Sequence, residues 1–457
     1  MMDTATAARV VSGRVVGGNV AFARVTTDSR ALRAGDLFVA LKGERFDGHD
    51  FVPAALAQGA AAALVAEDRA PALAGDLVAV ADPQAALQAL AAHWRTRFAL
   101  PLAVVVGSNG KTTVKEMLAA ILRAQHGADA VLATQGNLNN AIGLPLTLLR
   151  LAAAHRAAVI ELGMNHRGET RELVAVAQPT IVVVNNAQRE HQEFMASVAE
   201  VAAEHADAVR ALPRDGVAVL NADDAHVTTW RAAAAAAGAK VLTFGEAADA
   251  DVRVAATLRA DGSDLVLATP QGVARATLAV PGAHMARNAA AATAAALAAG
   301  VTLAAVEQGL GQFRAVAGRL VALRTAHGAT VLDDTYNANP DSMRAAIDVL
   351  ATLPGTRVLA MGDMGEVGSE GPAFHREIGA YARARGVARL YATGDLAREA
   401  VAAFGAGATH YGGADALAAA VRAEDQAGTA LLVKGSRFMR MERIVAALMG
   451  TAAGGAH

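Results

Sequence analysis

Residues 104–117 read VVVGSNGKTTVKEM: a β-branched run, a glycine turn, then Gly-Lys-Thr at the head of a helical segment. A strand that breaks in such a turn and continues as a helix is the first half of a βαβ unit, which commits the neighbouring chain to a mostly parallel sheet. Gly107 and Gly110 let the backbone turn tightly, so that successive N–H groups can point at one anion. A helix starting at Thr112 adds free N–H groups and the positive end of its dipole. Lys111 offers a mobile positive charge for β- and γ-phosphates, and the Thr112 hydroxyl is placed to ligate Mg²⁺. Ser108, Asn109 and Thr113 complete the loop. The usual phosphate loop has a glycine five residues before that of Gly-Lys-Thr, and Val105 stands there instead. Spacing alone therefore leaves open a plain glycine turn that caps an ordinary helix.

At 457 residues the chain is too long for one ordinary core, and three blocks can be told apart. Residues 1–82 carry short strand-like runs such as Asp36–Leu41, a helical segment at Ala54–Gly59 and a further strand in AAALVAE. Asp82-Pro83 is a turn signal and marks a boundary. Across 83–317, strands at Ala103–Val106, Ala157–Leu162, Ile181–Asn185 and Val217–Asn221 alternate with helices at Thr112–Ala124, Glu169–Ala177 and Ser197–Leu212. Val252–Val280 alternates as antiparallel strands do, and an alanine-rich run after it reads as a long helix. From 318 to 457 the alternation restarts as a smaller α/β unit, with strands at Thr330–Asp334, Arg357–Met361, Leu390–Thr393 and Ala430–Val433. The closing GTAAGGAH reads as a frayed tail.

A formal charge of −2 gives no electrostatic case for nucleic acid or an anionic membrane. Zero cysteines exclude disulfides, thiolate catalysis and Cys-zinc sites, and fit a reducing compartment. The N-terminus lacks a secretory pattern. Alanine favours helix but buries little surface, so runs such as Ala232–Ala237 and Ala289–Ala292 read as helices of a soluble protein rather than membrane spans. A cytoplasmic chain is expected, without membrane insertion.

Two further residues bear on a nucleotide site. Glu161 ends a strand, where a carboxylate can hold the metal of a nucleotide; alone, a strand-end glutamate is usually just solvated. His191 follows another strand in VVVNNAQREHQEF, and a lone histidine there is more often a loop or capping residue than a ligand.

Together with further motifs these residues make the chain similar to the Mur ligases of peptidoglycan synthesis over nearly its whole length. The resemblance is carried by Asp28-Ser29-Arg30, Gly35–Leu41 and Asp47-Gly48-His49 with Phe51; by Gly107–Thr113, TQGNLNNAIGLP (Thr134–Pro145), Glu161-Leu162-Gly163, Asn165-His166 and Asn288; and by Gly318-Arg319-Leu320, DDTYNANPDSM (Asp333–Met343), MGDMGEVG (Met361–Gly368), His375 and LVKGSR (Leu432–Arg437). The family's loop is a shorter form, Gly-x-x-Gly-Lys-Thr/Ser, which accounts for Val105; Val106 takes the place of a usual threonine.

The resemblance implies three α/β domains: an N-terminal UDP-substrate-binding domain (1–82), a central P-loop ATPase domain with a mostly parallel sheet (83–317) and a C-terminal Rossmann-like domain (318–457). It implies an ATP- and Mg²⁺-dependent ligase, acting as a monomer, that joins D-alanyl-D-alanine to a UDP-N-acetylmuramoyl tripeptide through an acyl phosphate. Thr112 and Glu161 would hold the ATP-linked Mg²⁺ and His191 a second one, so that Lys111, Glu161 and His191 form the catalytic set. Asn288 would contact adenine, Arg319 the phosphates and Asp334 the ribose, with Asp333 as its rival. Asp28, Ser29 and Arg30 would recognise uridine, and Thr134, Asn137, Asn139 and Asn140 would line the muramoyl-peptide path. Plain structural readings stand beside these: the asparagines as loop formers, Asp333 and Asp334 as strand-end caps. Tyr336–Asn339 and Lys434–Arg437 would shape the dipeptide site or domain closure.

One departure is visible. Many members carry a carbamylated lysine in the helix after the His191 loop, and His205 stands at that position. It would either ligate or hydrogen-bond in place of the carbamate, or be a surface histidine on an alanine-rich helix. The alternatives to a dipeptide-adding enzyme are a third-residue-adding or other amide ligase of the superfamily and, more distantly, a nucleotide switch. The Asp-Asn-Pro-Arg sequence of diaminopimelate-adding members is absent, as is the Asn-Lys-x-Asp guanine signature.

Overall fold

The valine-rich run forms the strand Leu102–Val106, buried along its whole length. Its side chains alternate between two apolar layers, as the period of a strand requires. Ala103 and Val105 belong to a cluster with Val114, Met117 and Ile121 of the helix Lys111–His126. Val104 and Val106 belong to another, with Leu173 and Val174 of Glu169–Ala177 and Val201 and Val209 of Val198–Arg210. Both faces of this sheet are therefore covered, which is why its central strands read as unbroken apolar runs. The structure, a computed structural model, describes residues 1–451; the remainder of the expected frayed tail, 452–457, lies outside the described residues.

The central sheet has nine strands. In spatial order they are Gly272–Leu278, Ser263–Thr269, Val252–Leu258, Lys240–Gly245, Val217–Asn221, Ile181–Val184, Leu102–Val106, Ala157–Glu161 and Val131–Ala133. The first three pair antiparallel and the rest parallel. Glu161 pairs with Val105 and Val184 with Val106, so the ends of both flanking strands arrive beside the glycine loop. Ligands of open α/β sheets gather at this carboxyl edge.

The smaller N-terminal sheet runs Arg14–Val16, Leu77–Val80, Ala62–Ala66, Asp36–Val39, Arg24–Thr26, parallel except for its first pair. Asp82 does more than turn the chain. Its carboxylate accepts from Gln84 N and Ala85 N and so caps the helix Pro83–Arg95, which sequence reading left undrawn. The C-terminal sheet orders Val321–Arg324, Thr330–Asp334, Thr429–Lys434, Thr356–Met361, Arg389–Thr393, Ala408–Tyr411, again parallel but for its first edge pair.

The alanine runs divide into two kinds. In Val227–Ala237, Ala232, Ala235 and Ala236 face solvent, as expected of a surface helix. The helix Ala283–Ala298 is instead buried nearly all round: Ala289–Ala292 and Ala294–Ala296 have no exposure. Small side chains let it lie in close contact with both Lys111–His126 and the strands Lys240–Gly245 and Val252–Leu258. The same economy of space appears at Gly309 of the next helix, where a Cβ would come within 2.4 Å of Ile121 Cα. Among the described residues no helix is long and apolar enough to cross a membrane.

Candidate active site

Gly107 and Gly110 take φ of +139° and +81°, in the region that favours glycine. At Gly110 space forbids a side chain as well: a Cβ would lie 2.6 Å from Asn288 Oδ1 and 2.7 Å from Asn185 Nδ2. The loop is held by the chain that leaves the neighbouring strand. Ser108 N donates to Asn186 O (3.0 Å) and Asn109 N to Asn186 Oδ1 (2.9 Å). Asn185 and Asn186 both donate through Nδ2 to Asn109 O (2.7 and 3.0 Å), and Gln188 N donates to Ser108 Oγ (2.8 Å). Gly110 begins the helix Lys111–His126 without a side-chain cap, so no local oxygen competes with an anion there. Thr112 and Thr113 are buried in its first turn.

Lys111 lines the cavity at this loop and folds back on it. Its Nζ donates to Gly107 O (2.5 Å) and Ser108 O (3.3 Å) and lies 3.4 Å from Glu190 Oε2. Glu190, only 7% exposed, is a focus that sequence reading passed over although it sits in the quoted run before His191. Its Oε2 is 3.7 Å from His191 Nε2, its Oε1 is 3.7 Å from His205 Nε2, and Oε1 has no hydrogen-bond partner. His205 is thus no surface histidine: it is 2% exposed, and burial, helped by the Lys111 and His191 charges, pushes its pKa down to about 3.

Across the loop, Glu161 is 4% exposed. Its Oε1 accepts from Asn139 Nδ2 (2.9 Å), while Oε2 has no partner. Thr134 is buried beneath rather than lining the cavity: its Oγ1 accepts from Glu161 N (3.0 Å) and its carbonyl from Lys115 Nζ (2.8 Å). Asn137, Asn139 and Asn140 do line it. Asn140 also serves as a loop former, its Oδ1 accepting from Ile142 N and Gly143 N. Among the described residues no three His, Asp or Glu side chains converge to hold an ion by themselves. Thr112, Glu161 and His191 therefore form no preformed metal cage. Two buried carboxylate oxygens without partners, Glu161 Oε2 and Glu190 Oε1, nevertheless suit a cation that takes its other ligands from phosphates and water, as Mg²⁺ does.

The opposite wall comes from the C-terminal unit. Arg319 stacks on Tyr336 at 4.2 Å and keeps its buried Nε unpartnered. Asp334 lines the cavity and accepts from Lys434 Nζ (2.6 Å) and Leu320 N (3.1 Å). Asp333 is turned to Thr335, and burial raises its pKa. Asn288 is engaged by Asn185 Nδ2 (2.9 Å) under Gly110, so one of its amide atoms supports the loop.

The two walls touch. Asn339, the cap of the helix Pro340–Thr352, donates to Asn109 Oδ1 (2.9 Å). Glu366 Oε2 lies 2.7 Å from His191 Nδ1, which holds the Glu366 carboxyl below its usual range. Both residues have positive φ, +50° and +55°, a strained setting for non-glycine side chains that clusters at functional sites.

These residues enclose a cavity of about 940 Å³ at the carboxyl edge of the central sheet. It gathers Ser108–Thr113, Asn137, Asn139, Asn140, Glu161, His191, Asn288, Arg319 and Asp334. Gly107 lies just beneath it, against Asn185. Asp28, Ser29 and Arg30 are not among its lining residues: they form a separate polar turn in the N-terminal unit, where Arg30 pairs with Asp28 (2.9 Å) and lowers its pKa. Besides Glu190, sequence reading assigned no role to Asn185, Gln188 or Glu366, all at the cavity and all within motifs it had quoted.

Three family descriptions match the chain: the Mur ligase family catalytic domain over 22–95, the Mur ligase middle domain over 105–296 and the Mur ligase glutamate ligase domain over 318–437. The chain is 42% identical over 446 residues to the UDP-N-acetylmuramoyl-tripeptide–D-alanyl-D-alanine ligase of Escherichia coli K12, covering 96% of each. It is 40% identical to the ligase of the same name from Haemophilus influenzae, over 83% of this chain and 82% of that one. A crystal structure of MurF from Acinetobacter baumannii superposes with a TM-score of 0.90 at 33% identity, covering 98% of this chain and 99% of that one. MurF from Thermotoga maritima in complex with ADP gives 0.81 at 25% identity, covering 93% and 97%. With family matches over each of the three larger sheets and relatives aligned nearly end to end, the chain belongs to the Mur ligase family.

Proposed function

We infer that the chain is an ATP-dependent ligase that joins D-alanyl-D-alanine to a UDP-N-acetylmuramoyl tripeptide in peptidoglycan precursor synthesis. The observation that carries this reading is the two-walled cavity: a glycine–lysine phosphate loop on one side, and Arg319, Asp334 and Glu366 of a second α/β unit on the other. Relatives bearing that activity match across both walls.

The tripeptide carboxylate attacks the γ-phosphorus of ATP, giving an acyl phosphate and ADP. The dipeptide amine then attacks the acyl carbon, and the tetrahedral adduct expels phosphate. Two anions must meet in the first step, so positive charge has to be in place beforehand. Lys111 supplies it by leaving Gly107 O and Ser108 O for the phosphates, and the loop N–H groups hold the β-phosphate. Thr112 and the free Glu161 oxygen would hold Mg²⁺, whose chemistry would be to neutralise charge on the transferring group. His191, whose Nδ1 lies 2.7 Å from Glu366 Oε2, would hold a second ion. Arg319 meets the phosphates and Asp334 the ribose. Asn137, Asn139 and Asn140 border the peptide path, and Asp28, Ser29 and Arg30 hold uridine in the separate N-terminal unit. We further propose residues 1–82, 83–317 and 318–457 as the three domains of a cytoplasmic monomer.

Phosphate release is the test. It is expected only when ATP, Mg²⁺, the UDP-tripeptide and D-alanyl-D-alanine are all present, with one amide product whose mass is the sum less water. Release that ignores the dipeptide sinks this reading in favour of a nucleotide switch. Product formed only with a free amino acid favours a sibling ligase.

A further inference from the structure

We propose that Arg189 is a positioning residue that makes the seating of the C-terminal unit a condition for placing Glu190 and His191 beside the phosphate loop. The inference rests on the ligase reading above only for its activity measurement.

Arg189 does not line the cavity. It immediately precedes Glu190 and His191, and its contacts lie across the boundary between the two units. Its guanidinium is bonded through NH2 to Asp341 Oδ1 (2.6 Å) and through NH1 to Glu377 Oε2 (2.6 Å), and Nε reaches both Asp341 oxygens at 3.2 Å. Its backbone N–H donates to Asp341 Oδ2 (2.9 Å), and the Phe374 ring lies 5.3 Å from the guanidinium carbon. Side chain and backbone of one residue thus hold the same carboxylate. A planar guanidinium bridging two carboxylates in this way constrains orientation as well as distance. Glu377 is steadied in turn by Arg344 NH1 (3.0 Å).

The partners are placed to transmit the contact. Asp341 stands in the first turn of the helix Pro340–Thr352, two residues after Asn339, whose amide meets Asn109 of the phosphate loop. On the other side of Arg189, Gln188 is tied to Ser108 and Asn109. The stretch 188–191 is therefore gripped from both units, and it carries one carboxylate that approaches Lys111 and one histidine that approaches Glu366. Only when the units are seated together are these approaches made. Undocked, the stretch loses the Asp341 and Glu377 anchors and the Glu366 contact at once.

The experiment uses the full chain and compares wild type with Arg189→Ala, Asp341→Asn, Glu377→Gln and the charge-exchanged pair Arg189→Asp with Asp341→Arg. Two quantities are read: kcat and KM for each substrate, and compaction on adding a non-hydrolysable ATP analogue, followed by small-angle scattering. Arg189→Ala is expected to lower kcat by roughly 10- to 100-fold, the loss that one or two charge-assisted hydrogen bonds represent. KM for ATP should change about 3-fold at most, because the loop's own contacts remain. The nucleotide-bound variant should be more extended than wild type. Glu377→Gln should lose less than Arg189→Ala, and the exchanged pair should regain both compaction and part of the rate. Unchanged rate and compaction in Arg189→Ala overturn the proposal. So does a rate loss with normal compaction, which would mean a direct role at the ligand. If Arg189→Ala does not fold, Asp341→Asn and Glu377→Gln decide by the same two readings. A wild type without ligase activity would defeat the functional reading, while the scattering comparison would still test the clasp.

Discussion

At the scale of single residues, the site is organised around one buried carboxylate. Glu190 lies within 3.4–3.7 Å of Lys111, His191 and His205, a buried grouping of ionisable side chains that costs desolvation and is retained where chemistry uses it. His205 is the member whose state can be read most directly. Its pKa falls from 6.5 to about 3 because its ring is buried beside Lys111 and His191. Between those values the unfolded chain binds a proton that the folded chain does not. Its contribution to stability is therefore complete above pH 6.5 and is lost as pH falls towards 3. At pH 5 the loss is about 2 kcal/mol. Urea unfolding of wild type at pH 7 and pH 5 should show this drop, and His205→Asn should flatten it by about the same amount; an unaltered slope would assign the effect elsewhere. The same variant tests function, because unchanged activity and Mg²⁺ dependence would leave His205 a packing residue.

At the scale of elements, the phosphate loop owes its shape as much to its neighbour as to its own glycines. Seven hydrogen bonds join Asn185, Asn186 and Gln188 to Ser108 and Asn109. Gly110 is pressed against Asn185 and Asn288 at a φ that side chains rarely adopt. Gly110→Ala should consequently push both amides away and strain the turn, costing about 1–3 kcal/mol. Calorimetric titration with ATP should show affinity weakened by at least 10-fold, with a lowered melting temperature. An affinity within 2-fold of wild type would mean that the loop relaxes freely. The alanine-rich helix Ala283–Ala298 makes a related point. Its side chains are small because two elements close on it, so alanine there reports tight packing rather than weak burial.

At the scale of the molecule, the central and C-terminal units share a connected apolar cluster: Met117 and Ala290 belong to it together with Met343 and Ile347. Polar contacts at the cavity mouth then set how the units face each other. The amides of Asn109 and Asn339 exchange two contacts, at 2.9 and 3.3 Å. In a double-mutant cycle on kcat/KM, Asn109→Ala and Asn339→Ala should be non-additive by about 0.5–1.5 kcal/mol, as expected of side chains in contact. Strict additivity would show that the loop and the C-terminal helix act independently. Asn339→Ala alone should also cost about 1 kcal/mol of stability, because Asn339 caps the helix it begins.

What could be read from the chain alone is what local chemistry dictates. A β-branched run, Gly107, Gly110 and Lys111 can form little else than a strand, a turn and a helix N-terminus. The alternation of strands and helices then leads to parallel sheets whose carboxyl edges bear the ligands. Their places after strands likewise brought Glu161 and His191 into view, and the family resemblance added Arg319 and Asp334. The sequence could not say that Thr134 is a buried support, that Asp334 rather than Asp333 faces the cavity, or that His205 points inward. Each of these depends on which face of an element meets another element, and residues one position apart on a strand point to opposite sides. Nor could it join Arg189 to Asp341 and Glu377, which are more than 150 residues away. Long-range ion pairs leave no periodicity in a sequence, and only the docking of two folded units brings such charges within 3 Å.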